Sequence, residues 1–305
     1  LDATRILYAC PNVQTKYRLA KLDISAPTPM RGPGDAQGSF ALESALDELA
    51  YKLNIDPVEL RLINYAERDP ESNLPWSEKA LRECYQKGAE RIGWNKRNPQ
   101  PRSMSENGIL IGYGMATATY PMNWRESVAK VRILQDGTAI VQSAASDMGP
   151  GTYTAMTTIA SEFLGIPSDR IKFELGNTNF PSAAVHGGST TVTSVGSAVK
   201  AAYEKVRNSA LIMLQESNSI FAGNKSNDFA AQNGRIFLKQ NPSAGISYTE
   251  ILAQANRESI EAEATSKPTE NPKYSLHSFG AQFVEVRVDE DSVTFRFRGW
   301  LVLWI

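Results

Sequence analysis

Phe40, Leu42, Leu46, Leu49 and Leu53 recur at helical spacing, which predicts a helix over residues 39–53 capped by Ser39. Residues 1–29 show no such period and carry three prolines, so they read as extended. RGPGDAQG, at residues 31–38, reads as a glycine-rich turn. A second helix opens on DPVELRLINY, with Asp56 as N-cap, Pro57 at the first helical position and Glu59 closing a capping box. A third is expected over residues 77–92, followed by the polar loop NKRNPQPRSMSEN.

After Gly108 the pattern changes. GILIGYGMATATYP, SVAKVRILQDGTAIVQSA and RIKFELGNTN read as strands, with QDGT as an Asp-Gly hairpin turn. Helices are expected over residues 152–164, stopped by Gly165 and Pro167, and over about residues 193–214. GRIFLKQ reads as a weaker strand. NRESIEAEATSKPTENPKYS reads as a polar loop with room for one short strand, and FGAQFVEVRVD alternates as a strand. Helices followed by strands mixed with helices predict an α+β fold with mixed sheets and packed helices, not a doubly wound sheet. The expected segments are residues 1–107, 108–291 and 292–305, the last an aberrant tail.

Composition narrows the function classes. The 305 residues are 42% hydrophobic and 21% charged, enough for a buried core. Lys and Arg number 32 against 33 Asp and Glu, which argues against a nucleic-acid or anionic-membrane partner. Cys10 and Cys84 fit no metal spacing and read as reduced and structural. The chain opens on Leu1 and closes on SVTFRFRGWLVLWI, which reads as a fragment of something longer with a tail of foreign character.

Three glycine-rich loops precede predicted helices: DMGPGTYT, HGGSTTVT and RGPGDAQGS. Glycine permits positive φ and close backbone approach, and a helix start offers free N–H groups at a positive dipole end. That combination binds anions, phosphate above all. No Walker or Rossmann spacing is present. Any one such loop is more often a plain turn, and hydroxyls at a helix start are more often caps. Three together point to a large, phosphate-bearing ligand, with their convergence left open.

Three long motifs, in order, resemble one family. PTPMRGPGDAQGSFALESALDELAYKLNIDPVELRLIN, SDMGPGTYTAMTTIASEFLGIP and HGGSTTVTSVGSAVKAA resemble the molybdopterin-binding subunit of the xanthine dehydrogenase and aldehyde oxidase family, in its bacterial aldehyde oxidoreductase branch. The resemblance implies a molybdopterin cofactor, in bacteria commonly the cytosine dinucleotide. Its own sulfurs hold the molybdenum, so no protein metal ligand is implied. It places the cofactor grip at Met148, Gly149, Pro150 and Gly151 and at Gly188, Ser189, Thr190 and Thr191. Arg31 matches an arginine near molybdenum and substrate, and Tyr120 an aromatic along the substrate pocket. The implied chemistry is oxidation of aldehydes or N-heterocycles with water as oxygen source. Electrons pass to 2Fe-2S and FAD groups on partner subunits of a heteromeric complex, in cytoplasm or periplasm.

The chain departs from the pattern. The family's general base is a glutamate in a Gly-Glu motif, and no Gly-Glu dipeptide occurs here, so no catalytic residue is assigned and the polypeptide alone is expected to be inactive. The Asp-x-Gly-Arg continuation and the upstream half of the molybdenum site are absent as well. Pro150 stands where a polar side chain is usual. A non-catalytic cofactor-binding or assembly module is the rival reading, and an unrelated nucleotide-binding domain a third. His186 reads more readily as an ordinary loop histidine than as a ligand contact, and Asp35 and Asp147 as turn carboxylates. Glu43 and Glu48 are expected to be solvated or paired.

Overall fold

The computed structural model describes residues 2–16, 18–217, 221, 223–292 and 294–304. Its fold is mixed α/β, with several sheets and packed helices, and it divides into two compact units. One comprises residues 1–122 and 271–305, the other residues 123–270. These units are drawn differently from the segments 1–107, 108–291 and 292–305. The reason is strand pairing across a long sequence gap. In the first unit β2 (Ile109–Pro121) pairs antiparallel along its whole length with β10 (His277–Asp289). The second unit is therefore an insertion between two partner strands.

The first unit opens on α1 (Asp2–Ile6) and an extended, exposed run, then α2 (Asp35–Leu53), α3 (Pro57–Ile63) and α4 (Leu81–Ile92). Its four-stranded sheet has the order β1 (Ser105–Glu106), β2, β10, β11 (Thr294–Trp304). Helix α2 starts four residues before Ser39. Gly34, at φ 81°, launches it with no side-chain cap, a conformation that costs glycine little. Asp56 does cap α3, accepting from the Val58 amide at 2.8 Å and, more weakly, from Glu59 at 3.4 Å. Within the segment expected to be an aberrant tail, β11 runs antiparallel to β10, with one bulge at Val284 and Glu285. Leu7, Leu81, Tyr85, Phe279 and Phe283 form the apolar core between helices and sheet. Cys84 is buried there, whereas Cys10 is exposed, so only one of the two is structural.

Within that core lies a buried polar cluster. Arg61, wholly buried, donates from Nε to Glu43 Oε2 at 2.8 Å. Tyr8 donates to Glu43 Oε1 at 2.6 Å, and the Thr117 amide to Glu43 Oε2 at 2.7 Å. A second Arg61 nitrogen meets Asp47 at 2.9 Å. Burial alone disfavours the Arg61 charge, but Glu43, Tyr8 and Asp47 outweigh it and hold the guanidinium charged. Burial, with Tyr85 and Glu43 adding to it, pushes the Tyr8 hydroxyl well above its ordinary range. The cluster ties α2, α3 and β2 together.

The second unit holds β3 (Ser127–Leu134), β4 (Ala139–Gln142), α5 (Thr152–Leu164), β5 (Ile171–Glu174) and α6 (Thr191–Ser217). A small sheet of β6 (Phe229–Gln232), β7 (Arg235–Leu238) and β8 (Asn241–Ser247) follows, then α7 (Tyr248–Gln254) and β9 (Ser259–Ser266). The main sheet has the order β5, β4, β3, β9. Strand β9 takes up the room left for one strand in the polar stretch 256–275, and shows weakly in the sequence because its inward residues past Ile260 are alanines, which carry little apolar signal. It nonetheless pairs with β3 in full register, from Ser127 with Ser266 to Leu134 with Ser259. Val131, Val141, Met156, Leu164, Val195 and Val199 fill the core beneath α5 and α6. No helix among the described residues is long and apolar enough to cross a membrane.

Removing one partner of the buried pair should be costly. Arg61→Met leaves Glu43 buried with its main counter-charge gone, and urea unfolding is expected to show a loss of about 3–5 kcal/mol. Adding Glu43→Leu to Arg61→Met should restore most of that loss, since a matched apolar pair strands no charge. A double variant as unstable as the single would show that packing, and not charge, is what the site supplies.

Candidate functional site

Strands β4 and β5 run parallel, so both end at the same edge of the sheet. The loop after β4 leads into α5 and the loop after β5 leads into α6. The two loops are laced together: the Gly176 amide donates to Ala145 O at 2.8 Å and the Ala144 amide to Pro181 O at 2.7 Å. Helices α5 and α6 also run in the same direction. Gly196 packs against Ile159, where a Cβ would sit 3.2 Å from Ile159 Cδ1. Farther along both helices, Phe163 stacks on Tyr203 with ring centroids 6.5 Å apart. Since these contacts advance in step, both helix entrances lie at one end of the unit. Ile159 is seven residues from its helix start and Gly196 five, so the entrances are staggered by two residues, about 3 Å along the axis.

At the α5 entrance Gly149 has φ 105° and Gly151 φ 88°, and a Cβ at either would meet open space. Asp147 reaches into the turn, accepting from the Gly149 amide at 2.8 Å and from the Thr152 amide at 3.1 Å. Two amides expected to face a ligand are therefore already occupied. The Tyr153 and Thr154 amides are not; they make no hydrogen bond among the described residues. Met148, Gly149, Pro150 and Gly151 are exposed, while Thr152 is buried.

The α6 entrance is built the same way. Gly188 and Ser189 take left-handed backbone at φ 64° and 59°. Thr190 Oγ1 donates to Gly187 O at 2.7 Å, and Thr191 Oγ1 lies 2.8 Å from His186 Nδ1. Both threonines are buried, so their hydroxyls brace the loop instead of facing outward. What remains open is main chain: the amides of Thr191, Val192 and Thr193 have no acceptor among the described residues. Gly188 and Ser189 are exposed. His186, read from sequence as an ordinary loop residue, is a brace of this entrance. Asn123 was missed; its Nδ2 donates to Gly188 O at 2.6 Å, a tertiary contact that no local pattern announces.

The third loop belongs to the first unit. Arg31 is exposed and has no hydrogen bond or ion pair among the described residues. Asp35, buried, begins α2 four residues later. Tyr120 is half-buried near the end of β2; its hydroxyl titrates above the usual range, chiefly through burial and then through the Asp35 charge. Asp35 thus brings the Arg31 loop and Tyr120 into one neighbourhood of that unit. Among the described residues no three His, Cys, Asp or Glu side chains lie together as a metal site requires.

Open amides at two neighbouring helix starts suit an anionic ligand that brings its own metal ligands. Residues 2–65 and 87–303 each match the model of a molybdopterin cofactor-binding domain. The chain belongs to the molybdopterin-binding family of the xanthine dehydrogenases and aldehyde oxidases. It is 34% identical over 307 residues to the aldehyde oxidoreductase molybdenum-binding subunit PaoC of Escherichia coli, covering 99% of this chain and 40% of that one. It is 29% identical over 308 residues to a xanthine dehydrogenase molybdenum-binding subunit of the same species, covering 93% and 39%. Both relatives are named as parts of molybdenum oxidoreductases. In fold it is similar to the carbon monoxide dehydrogenase of Oligotropha carboxidovorans, with TM-score 0.75, 20% identity and coverage of 89% and 37%. The chain spans about 40% of the length of the curated relatives it matches. Molybdopterin binding is thus a family property of this chain, and the second family match contains both helix entrances of the second unit.

The entrance glycines should tolerate no side chain without strain. Gly149→Ala is expected to cost about 1–2 kcal/mol in chemical denaturation, from the left-handed backbone alone, because nothing within 4 Å would clash. A cost near zero would show that the turn relaxes to another conformation.

Proposed function

We propose that this chain is the cofactor-gripping part of a molybdenum hydroxylase that oxidises aldehydes or N-heterocycles with water as oxygen source. The observation that carries the reading is the pair of parallel helices whose open amides lie at one end of the second unit. The pyrophosphate of a molybdopterin, in its cytosine dinucleotide form, is gripped by the Tyr153 and Thr154 amides at one entrance and the Thr191, Val192 and Thr193 amides at the other. Met148, Gly149, Pro150 and Gly151 line the first approach, and Gly188 and Ser189 the second. Thr190 and Thr191 contribute main chain, since their hydroxyls hold the loop. Arg31 and Tyr120 act on the substrate side, the arginine through its fixed charge and the tyrosine as an aromatic wall. When bound, the cofactor supplies the redox chemistry at its metal; the protein's part is to orient it and neutralise its phosphates.

The 2Fe-2S and FAD groups that would take up the electrons belong to partner subunits, in keeping with relatives that are themselves named as subunits. The general base of the reaction is a glutamate outside these 305 residues, so this chain alone turns over no substrate. A non-catalytic cofactor-binding or assembly module is the second reading: a Gly-Glu downstream in the parent reading frame supports the enzyme, and its absence there supports the module.

The test is cofactor content in the assembled complex that contains this chain. Molybdenum and, after hydrolysis, cytidine monophosphate are expected in equal amounts. Finding neither in active preparations would overturn the reading; molybdenum without turnover of any aldehyde or heterocycle would favour the module. Gly149→Val and Gly188→Val should each lower molybdenum content at least tenfold while the apo chain still folds. Full loading in both variants would give the loops another role.

A further inference from the structure

Two residues just before β3, Asn123 and Arg125, border the second helix entrance, and neither belongs to the site expected from sequence. Asn123 holds Gly188 O. The Arg125 amide donates at 2.9 Å to the hydroxyl of Ser194, a buried residue one turn into α6. Next in line, the Ala184 amide donates to Ser127 Oγ at 3.0 Å and the Val128 amide to Ser182 O at 2.7 Å. Residues 123–128 therefore run beside the loop that feeds α6.

Arg125 stands out electrostatically. It is exposed, and its guanidinium has no hydrogen bond or ion pair among the described residues. Lys130 and Arg132, farther along the same stretch, are both paired with Glu261. The main chain of Arg125 is pinned at the start of α6, where the helix dipole is positive and three amides lack acceptors. A cation beside a positive helix end is unfavourable unless an anion lies with it.

We propose that Arg125 is a phosphate-binding residue of the cofactor site and that Asn123 is the positioning residue that sets the loop beside it. The assignment rests on the reading that the two helix entrances hold the cofactor's pyrophosphate. Arginine suits this place because its planar fork meets phosphate oxygens two at a time and keeps its charge. Asn123 acts at one remove: by holding Gly188 O it turns the loop so that the amides of Thr191 and its neighbours stay open.

The probe is inorganic pyrophosphate, titrated calorimetrically into the full 305-residue chain at two salt concentrations. Arg125→Gln should weaken binding roughly tenfold or more and flatten the salt dependence, because one fixed charge is gone. Arg125→Lys should recover part of both. Asn123→Ala should weaken binding with the salt dependence intact, since the charge remains. Arg132→Gln, which removes the same charge from the sheet, should bind as the native chain does. Native affinity and salt dependence in Arg125→Gln would overturn the proposal, and so would an equal loss in Arg132→Gln. If Gly188→Val abolishes binding while Arg125→Gln does not, the cofactor reading stands and this inference falls. If the native chain fails to bind pyrophosphate at all, both fall.

Discussion

Two adjacent strands that run parallel oblige the chain to cross over between them, and β4 and β5 impose that on the second unit. The crossover is α5, and α6 leaves from the end of β5 as α5 leaves from the end of β4. Both helices therefore begin at the carboxyl edge of the sheet, and their packing through Gly196 and Ile159 keeps them parallel. Helix dipoles that would cancel in an antiparallel pair here add. The glycine loops matter only because of this. The same residues ahead of two antiparallel helices would lie at opposite ends of the unit and share nothing.

Side chains and main chain divide the work at these entrances. The polar side chains turn inward: Asp147 closes one turn, while Thr190, Thr191 and His186 brace the other. The main chain faces out, with positive φ at Gly149, Gly151, Gly188 and Ser189. An anion site made of amides is insensitive to pH and needs no buried charge, so it costs the empty protein little. It also suits a chain whose net charge is -1, in which attraction for phosphate must be local.

The first unit takes the opposite approach. Glu43 and Arg61 bury a full ion pair, and the carboxylate also accepts from Tyr8 and from the Thr117 amide. Such a pair contributes little net stability but penalises any arrangement that separates its partners. It fixes α2 against β2. At one end of α2 stands the Arg31 loop, and three residues beyond Thr117 stands Tyr120. A rigid buried pair thus sets the neighbourhood of two exposed candidate residues, where flexible loops alone would not.

Local pattern determined a good deal of this protein. The helix over residues 152–164, the Asp56 cap, the Asp-Gly turn and the glycine loops before α5 and α6 follow from steric and hydrogen-bonding rules that act within a few residues. The three family motifs are legible for the same reason, because each is a contiguous loop-to-helix unit. Other features depend on partners far along the chain. Gly34 rather than Ser39 starts α2, and β9 is a strand because β3 offers it an edge, although its alanines hardly show it. The pairing of β2 with β10 draws the unit boundaries. Only the tertiary structure decided that two glycine loops open at one end, that the threonine hydroxyls of the second point away from it, and that Asn123 and Arg125 lie beside that second loop. Periodicity reports which face of an element is buried; it holds no information on which distant residue does the burying.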